Sequence, residues 1–201
     1  MTLTPEARVA TRVGEVVEAR TAEFTAQCYR LDGAPPFGSL VRASDGRIDI
    51  YGLVCEVSSG SIDAGRRVAA RGADEPSEDA LFEHNPELSA LLRTELRALV
   101  VGYREADRIV QRLPPHPPRL HGFVHRCDPA DLCDFGQRLD FLTALLAGGG
   151  TTDELVAAAL RQLAAVQGDE RAYLLAAGKR LATLLGGDVQ RLGAILRAAQ
   201  A

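Results

Sequence analysis

Apolar and polar residues alternate near the start of the chain in a pattern typical of a β-strand. In the segment 22–29, Phe24, Ala26 and Cys28 fall on one side and polar residues fall on the other. A period of two indicates a strand with one buried face. We therefore expect a half-buried strand here.

The next apolar stretches predict a hairpin. Residues 39–42 form a short candidate strand, and a Ser-Asp-Gly turn at 44–46 leads into β-branched and aromatic residues at 48–57. Gly52 interrupts this run, so we expect the strand to be buried on both faces or bulged at the glycine. Either arrangement suits a small, strongly curved barrel.

A polar, turn-rich stretch then interrupts the strands. Ser77 and Asn85 are capping residues followed by acidic residues, and each predicts a helix start, the second supported by Pro86 at the first helical position. Strand-like composition returns at 96–103. The sequence therefore predicts a helical insertion at about 76–94.

Prolines dominate the approach to the last predicted strand, 120–127. The segment 113–119, Leu-Pro-Pro-His-Pro-Pro-Arg, is restricted to an extended conformation because proline fixes φ and lacks an amide donor. Such a segment is either a docking ligand for an aromatic groove or a stiff spacer. Because strands are predicted on both sides, we favour the spacer.

After Cys127 the pattern becomes helical. Asp128 and Pro129 predict a helix start, and the glycines at 148–150 predict the end of that helix. The apolar residues at helical spacing between them are Leu132, Phe135, Leu139, Leu142 and Leu146. Thr-Thr-Asp-Glu at 151–154 matches a capping box that starts the next helix. We expect about four short helices packed as a bundle.

These patterns together predict an α+β protein with two parts. Residues 1–127 form a small N-terminal β-barrel domain that carries the helical insertion at about 76–94. Residues 128–201 form a C-terminal α-helical bundle, with the boundary near Cys127.

Composition narrows the class of protein. The chain has 201 residues, of which 46% are hydrophobic and 25% charged, typical of a folded, soluble domain. Its net charge of -4 argues against a diffuse basic field for nucleic acid. We find no signal-peptide core and no membrane span, so we expect a cytoplasmic protein without membrane insertion, with its four cysteines reduced.

Four residues around the last predicted strand are candidate zinc ligands. On a strand over 120–127, His121, His125 and Cys127 would share a face, and Cys133 would follow from the next helix. The spacing matches no standard zinc signature, and each residue has an ordinary structural explanation. We favour the structural explanation and expect no metal and no cofactor.

The densest basic cluster is Arg66, Arg67 and Arg71, in a glycine-rich loop. Guanidinium groups in such a loop suit a phosphate, a nucleic-acid backbone or a protein contact. Acidic residues flank the cluster and offset its field, so we favour a solvated loop or a protein contact over nucleic acid.

The chain lacks the common catalytic motifs. No Gly-x-Ser-x-Gly elbow is present, and no cysteine belongs to a recognisable Cys/His signature. Acidic pairs such as Glu78 and Asp79 fit a solvated helix start. We expect a protein that is not an enzyme.

The succession of barrel segments resembles the HerA–ATP synthase barrel, found at the N-terminus of HerA-type DNA translocases and of rotary ATP synthase head subunits. The resemblance covers roughly the first 125 residues. It rests on Val-Gly-Glu-Val-Val at 13–17, Thr-Ala-Glu-Phe at 21–24, Gly-Ser-Leu-Val at 38–41 and Ile-Tyr-Gly-Leu-Val at 50–54.

The chain is more similar still to stand-alone bacterial barrel proteins without the ATPase domain. That likeness rests on Ser-Ile-Asp-Ala-Gly-Arg-Arg at 61–67, Arg-Thr-Glu-Leu at 93–96 and the Pro-rich run at 113–121.

In the larger relatives a phosphate-binding ATPase domain follows the barrel. Here the only Gly-Lys pair, Gly178 and Lys179, is followed by Arg180 and falls in a predicted helix, so we expect no ATP hydrolysis. The resemblance implies a non-enzymatic interaction and assembly module. Its partner would be a second copy or a barrel-containing ring ATPase, and the alternative is a nucleic-acid-associated accessory protein that uses Arg66, Arg67 and Arg71.

Overall fold

The computed structural model describes residues 11–63, 65–147 and 152–200, and shows a β-barrel followed by helices. The glycines predicted to end a helix at 148–150 lie outside these residues. The strands are β1 (Arg12–Ala19), β2 (Glu23–Cys28), β3 (Leu40–Ser44), β4 (Asp49–Ser61), β5 (Leu92–Glu105), β6 (Arg108–Val110) and β7 (Phe123–Arg126). The helices are α1 (Glu78–His84), α2 (Leu88–Leu91), α3 (Pro129–Gly136), α4 (Phe141–Ala147), α5 (Asp153–Ala164), α6 (Glu170–Leu184) and α7 (Val189–Gln200).

Six of the strands form a closed barrel. Around the barrel their order is β1-β7-β3-β4-β5-β2, and β2 pairs again with β1. Every pairing is antiparallel, and β6 is an added strand that pairs with β5 in a hairpin. The predicted α+β class, with a barrel before a helical part, is confirmed.

The alternation in the second strand is confirmed. Phe24, Ala26 and Cys28 are buried in the barrel interior, while the intervening side chains are partly exposed. Both predictions for the strand around Gly52 hold, since the residues from Tyr51 to Val54 are buried and the register shifts between Tyr51 and Gly52. Curvature and two-sided burial therefore coincide at this glycine.

Gly52 is required by the packing inside the barrel. A Cβ atom at this position would lie 2.8 Å from Cε1 of Phe24 and 3.0 Å from Cβ of Ala98. Both distances are shorter than ordinary van der Waals contact. The glycine therefore makes room for the phenylalanine ring that fills the core.

The helical insertion follows the extended end of β4. Ser77 caps α1 as predicted, since its hydroxyl accepts a hydrogen bond of 3.1 Å from the amide of Ala80. The second predicted start differs, because Asn85 caps the end of α1 and α2 begins only at Leu88. The amide side chain of Asn85 donates to the carbonyl of Leu81, so it serves the preceding helix.

Five helices follow β7 in the described residues, rather than about four. Asp128 and Thr152 are N-caps as predicted, and they accept hydrogen bonds from the amides of Asp131 and Leu155. The difference arises because the predicted helix from Pro129 onward is two helices, α3 and α4.

Gln111 occupies the break between α3 and α4. Its side-chain nitrogen donates to the carbonyls of Phe135 at 2.7 Å and Arg138 at 3.0 Å, and its oxygen accepts from the amide of Phe141 at 3.0 Å. The residue is only 9% exposed. The buried side-chain amide of Gln111 therefore hydrogen-bonds three backbone groups. In a continuous helix these groups would bond to other backbone groups of the same helix.

The helices pack on the outside of the barrel. One cluster of buried side chains fills the barrel interior, and a second joins the barrel surface to the helices. The barrel contributes Leu40, Tyr51, Leu53 and Val101 to the second cluster. Division into domains 1–127 and 128–201 stays a prediction, and the shared cluster indicates that the two parts stabilise each other.

A charged network lies at the same junction. Asp131 on α3 contacts Arg42 and Arg104, each at 3.4 Å, and Arg104 also donates to the hydroxyl of Tyr51. Asp49 contacts Arg42 at 3.5 Å. The three barrel strands β3, β4 and β5 are thus linked to one carboxylate of the first C-terminal helix.

Candidate interaction surface

The predicted arginine cluster lies beside a groove at one end of the barrel. Arg66, Arg67 and Arg71 line it, together with α2 and the first residue of β5. The groove has a volume of about 210 Å³. The structure therefore brings the three arginines to one surface.

Carboxylates partly offset this cluster, as the sequence suggested. Arg66 lies 3.8 Å from Asp63, and Nη1 of Arg71 lies 3.3 Å from Glu87. Arg67 forms no ion pair with any residue that the structure describes. All three guanidinium groups are exposed, so these contacts are weak in water and are open to exchange for a partner's carboxylates.

Exposed apolar side chains lie between the arginines, and sequence reasoning missed them. Ile62 is 47% exposed, Val68 56% and Leu91 47%, and all three line the groove. The available signal was two β-branched residues inside an otherwise polar loop. Apolar side chains next to guanidinium groups are typical of protein-binding surfaces.

The end of β4 next to the groove has an open backbone edge. β3 pairs with β4 only as far as Leu53, and the backbone of Val54 bonds to Gly38 and Ser39. From Glu56 to Ser61, β4 pairs with β5 and with no other described strand. This edge is long enough to accept an added strand.

Alternation along the ladder shows which amides face outward. The amide of Ile62 donates to the carbonyl of Leu91, on the β5 side. Because successive residues of an antiparallel strand point their amides to opposite sides, those of Val57, Ser59 and Ser61 point to the open side. These three amides have no backbone acceptor among the described residues and are thus available for a partner strand.

The four candidate zinc ligands do not form a cluster. No group of three or more His, Cys, Asp or Glu side chains in the described ranges is arranged to hold a metal ion. His121 contacts Glu15 at 2.9 Å, and Nδ1 of His125 contacts the hydroxyl of Thr11 at 3.2 Å. Cys133 accepts a contact from Gln137 instead.

The predicted shared face of His121, His125 and Cys127 fails for a structural reason. The last strand begins at Phe123 rather than at 120, and His121 precedes it with a left-handed backbone (φ 58°). That turn takes His121 out of the strand alternation, and it is exposed while Cys127 is partly buried.

Burial makes three of the thiols, those of Cys28, Cys55 and Cys127, weak nucleophiles. All four cysteines are free. Burial raises the pKa of Cys28 to about 11, and it raises the pKa of Cys127 well above the ordinary value. Burial also raises the pKa of Cys55. Thiols with raised pKa values stay protonated at neutral pH, where the thiolate is the reactive form.

The Pro-rich segment is held against the protein at several points. Pro114 and Pro118 are buried, while Pro115 and Pro117 between them are exposed. The amide of Arg119 donates to the carbonyl at the end of β3, at 2.9 Å. These anchors favour the spacer over the docking ligand.

Gly178 and Lys179 lie inside α6, as predicted. A phosphate-binding loop needs glycines between a strand and a helix N-terminus, so this pair does not belong to one. No helix in the described part of the chain has the length and apolar character needed to cross a bilayer.

No family model and no curated protein matches the chain.

Proposed function

We propose that this protein is a non-enzymatic interaction and assembly module whose barrel binds a strand of another protein barrel. The open edge of β4 from Glu56 to Ser61 carries this proposal. Its three outward amides offer backbone hydrogen bonds, and the neighbouring groove offers contacts for side chains. Backbone bonds give affinity in strand addition, and the adjoining pockets give specificity.

The groove favours a partner strand with acidic and apolar side chains. Arg66, Arg67 and Arg71 provide the positive charge, and Ile62 and Leu91 provide the apolar contact. Resemblance to the HerA–ATP synthase barrel points to two sources of such a strand, a second copy of this chain or a barrel-containing ring ATPase. The free thiols fit a reducing compartment such as the cytoplasm.

One substitution tests the edge without rebuilding the barrel. Ser59→Pro removes an amide that points to the open side, so it blocks strand addition. Ser59→Ala is the matched control, because both variants lose the 2.7 Å contact between the Ser59 hydroxyl and Thr94. Circular dichroism and thermal unfolding check that both variants fold.

Light scattering across a concentration series, alone and with barrel-containing ATPases, measures association. We expect wild type and Ser59→Ala to form a dimer, a ring or a complex, and Ser59→Pro to remain monomeric. The proposal is contradicted if the wild-type protein stays monomeric at every concentration and forms no complex with the ATPases. Equal association of the folded Ser59→Pro variant contradicts the role of the edge.

A second candidate function is a nucleic-acid-associated accessory role for Arg66, Arg67 and Arg71. The observation that favours it is the guanidinium of Arg67, which has no ion-pair partner in the described ranges and lies beside two other exposed arginines. If the three arginines neutralise three phosphates, the logarithm of the association constant for duplex DNA should fall linearly with the logarithm of the salt concentration. The expected slope is about -2.7. Fluorescence anisotropy with labelled duplex DNA measures the affinity of wild type and of Arg67→Ala. If the affinity changes neither with salt concentration nor with the substitution, the nucleic-acid role is contradicted.

A further inference from the structure

A polar pocket lies at the other end of β5 from the arginine groove. It has a volume of about 370 Å³, within the range of small-molecule sites. One wall is a face of the β5–β6 hairpin, and the other is the turn between α3 and α4. The pocket is separate from the surface proposed to bind a protein partner.

Three arginines converge on this pocket from two distant segments. Arg108 and Arg112 come from the hairpin and the residues after it, and Arg138 comes from the helix turn. Arg108 and Arg112 are exposed and make no side-chain hydrogen bond or ion pair with any described residue. Their donors are therefore available to a ligand.

The carboxylates at the pocket leave two of its arginines, Arg108 and Arg112, without an ion pair among the described residues. Asp140 is already bound, since it lies 3.0 Å from Arg138 and 3.7 Å from Arg180. Glu105 pairs across the hairpin with Arg108, yet the two side chains form no ion pair. An anionic ligand would therefore meet guanidinium groups that no carboxylate already occupies.

Tyr103 adds a neutral donor at the base of the site. Its side chain is only 6% exposed and lines the pocket, and its hydroxyl has no hydrogen-bond partner among the described residues. The hydroxyl oxygen itself is not fully buried, so a ligand in the pocket can reach it. A ligand oxygen would satisfy it.

We propose that this pocket binds a small phosphate ester. Guanidinium groups match phosphate oxygens through paired N–H donors. A phosphate monoester offers three terminal oxygens and nearly two negative charges, whereas a carboxylate offers two oxygens and one charge. The two unpaired arginines and the Tyr103 hydroxyl fit the phosphate better, and the remaining volume accommodates the group it esterifies.

Calorimetric titration with glucose 6-phosphate tests the site, with glucose and gluconate as matched ligands. We expect saturable binding of glucose 6-phosphate, weaker binding of gluconate and none of glucose. Inorganic phosphate should compete, because it carries the recognised group. Absence of saturable binding at millimolar concentration, or a preference for gluconate, overturns the proposal.

Variants locate the binding. Arg108→Ala and Arg112→Ala should each weaken binding about tenfold or more, and Tyr103→Phe several-fold, since each removes a donor to a charged group. Glu105→Gln should strengthen binding by removing a nearby negative charge. Arg197→Ala, which removes an exposed arginine on α7, should leave affinity unchanged. Unchanged affinity in folded Arg108→Ala and Arg112→Ala overturns the assignment.

Discussion

Nε of Arg104 donates a hydrogen bond of 2.8 Å to the phenol oxygen of Tyr51, and Nη2 of the same guanidinium lies 3.4 Å from Asp131. Because Tyr51 and Arg104 lie on neighbouring barrel strands and Asp131 lies on α3, this pair fixes the helices to the barrel. Burial raises the pKa of Asp131, and the charge of Arg42 only partly opposes that rise.

The raised pKa of Asp131 makes its contribution to stability depend on pH. An acid with a raised pKa in the folded state binds more protons folded than unfolded between the two pKa values. Its stabilising contribution is full below the ordinary pKa of 3.8 and is lost as pH rises through the raised value. The free energy of unfolding of wild type, relative to Asp131→Asn, should therefore fall as pH rises.

Urea unfolding of both proteins from below pH 3.8 to neutrality measures this difference. Asp134→Asn is the control, because it removes an exposed carboxylate that contacts the same guanidinium. A difference between wild type and Asp131→Asn that stays constant or grows with pH contradicts the prediction.

Gln111 should be a major stabilising residue of the helical part. Gln111→Leu leaves the carbonyls of Phe135 and Arg138 and the amide of Phe141 without their partner, so it should lower the free energy of unfolding by about 2–4 kcal/mol. Gln137→Leu, at an exposed glutamine, should change it by less than about 0.5 kcal/mol. Denaturant unfolding measures both variants. If Gln111→Leu and Gln137→Leu change the free energy of unfolding equally, the three hydrogen bonds of Gln111 contribute little to stability.

Two glycines of one strand should respond oppositely to alanine. Gly52→Ala places a methyl group against Phe24 and should lower the free energy of unfolding by about 1–3 kcal/mol. Gly60→Ala meets nothing within 4 Å, so it should leave stability unchanged or raise it slightly. Thermal unfolding of both variants measures this, and a neutral Gly52→Ala would mean that the ring moves aside without cost.

The barrel segment should not fold well alone. Residues 1–127 without the helices would expose Tyr51, Leu53 and Val101, which are fully or almost fully buried in the whole chain. We expect this fragment to bind a hydrophobic dye and to lose cooperative unfolding, while the full chain unfolds in one transition. A fragment with the same sharp transition as the full chain would establish an independent domain.

Local pattern was sufficient to predict much of the fold. The alternation of Phe24, Ala26 and Cys28 and the caps at Ser77 and Asp128 are each determined by near neighbours in sequence, and the glycine at position 52 is visible as a break in an apolar run. These features identify strands, helix starts and barrel curvature without knowledge of which strands pair.

Features that depend on distant residues were not predictable in this way. The break between α3 and α4 depends on Gln111, which lies outside both helices. The apolar residues on either side of the break keep helical spacing, so the sequence pattern indicates one continuous helix. The shared face of His121 and Cys127 failed because a left-handed turn precedes β7. Likewise, Arg112 and Arg138 meet only after the hairpin and the helices have packed together.

Barrel closure also has a consequence for biosynthesis. The first and last barrel strands meet where Thr11 contacts His125, 114 positions later. A ribosome therefore releases β1 long before its partner β7 exists, and the ring of strands cannot close until most of the chain has been made. Pairing over such long separations is slow. The nascent strands stay open to chaperones and to neighbouring chains throughout that interval.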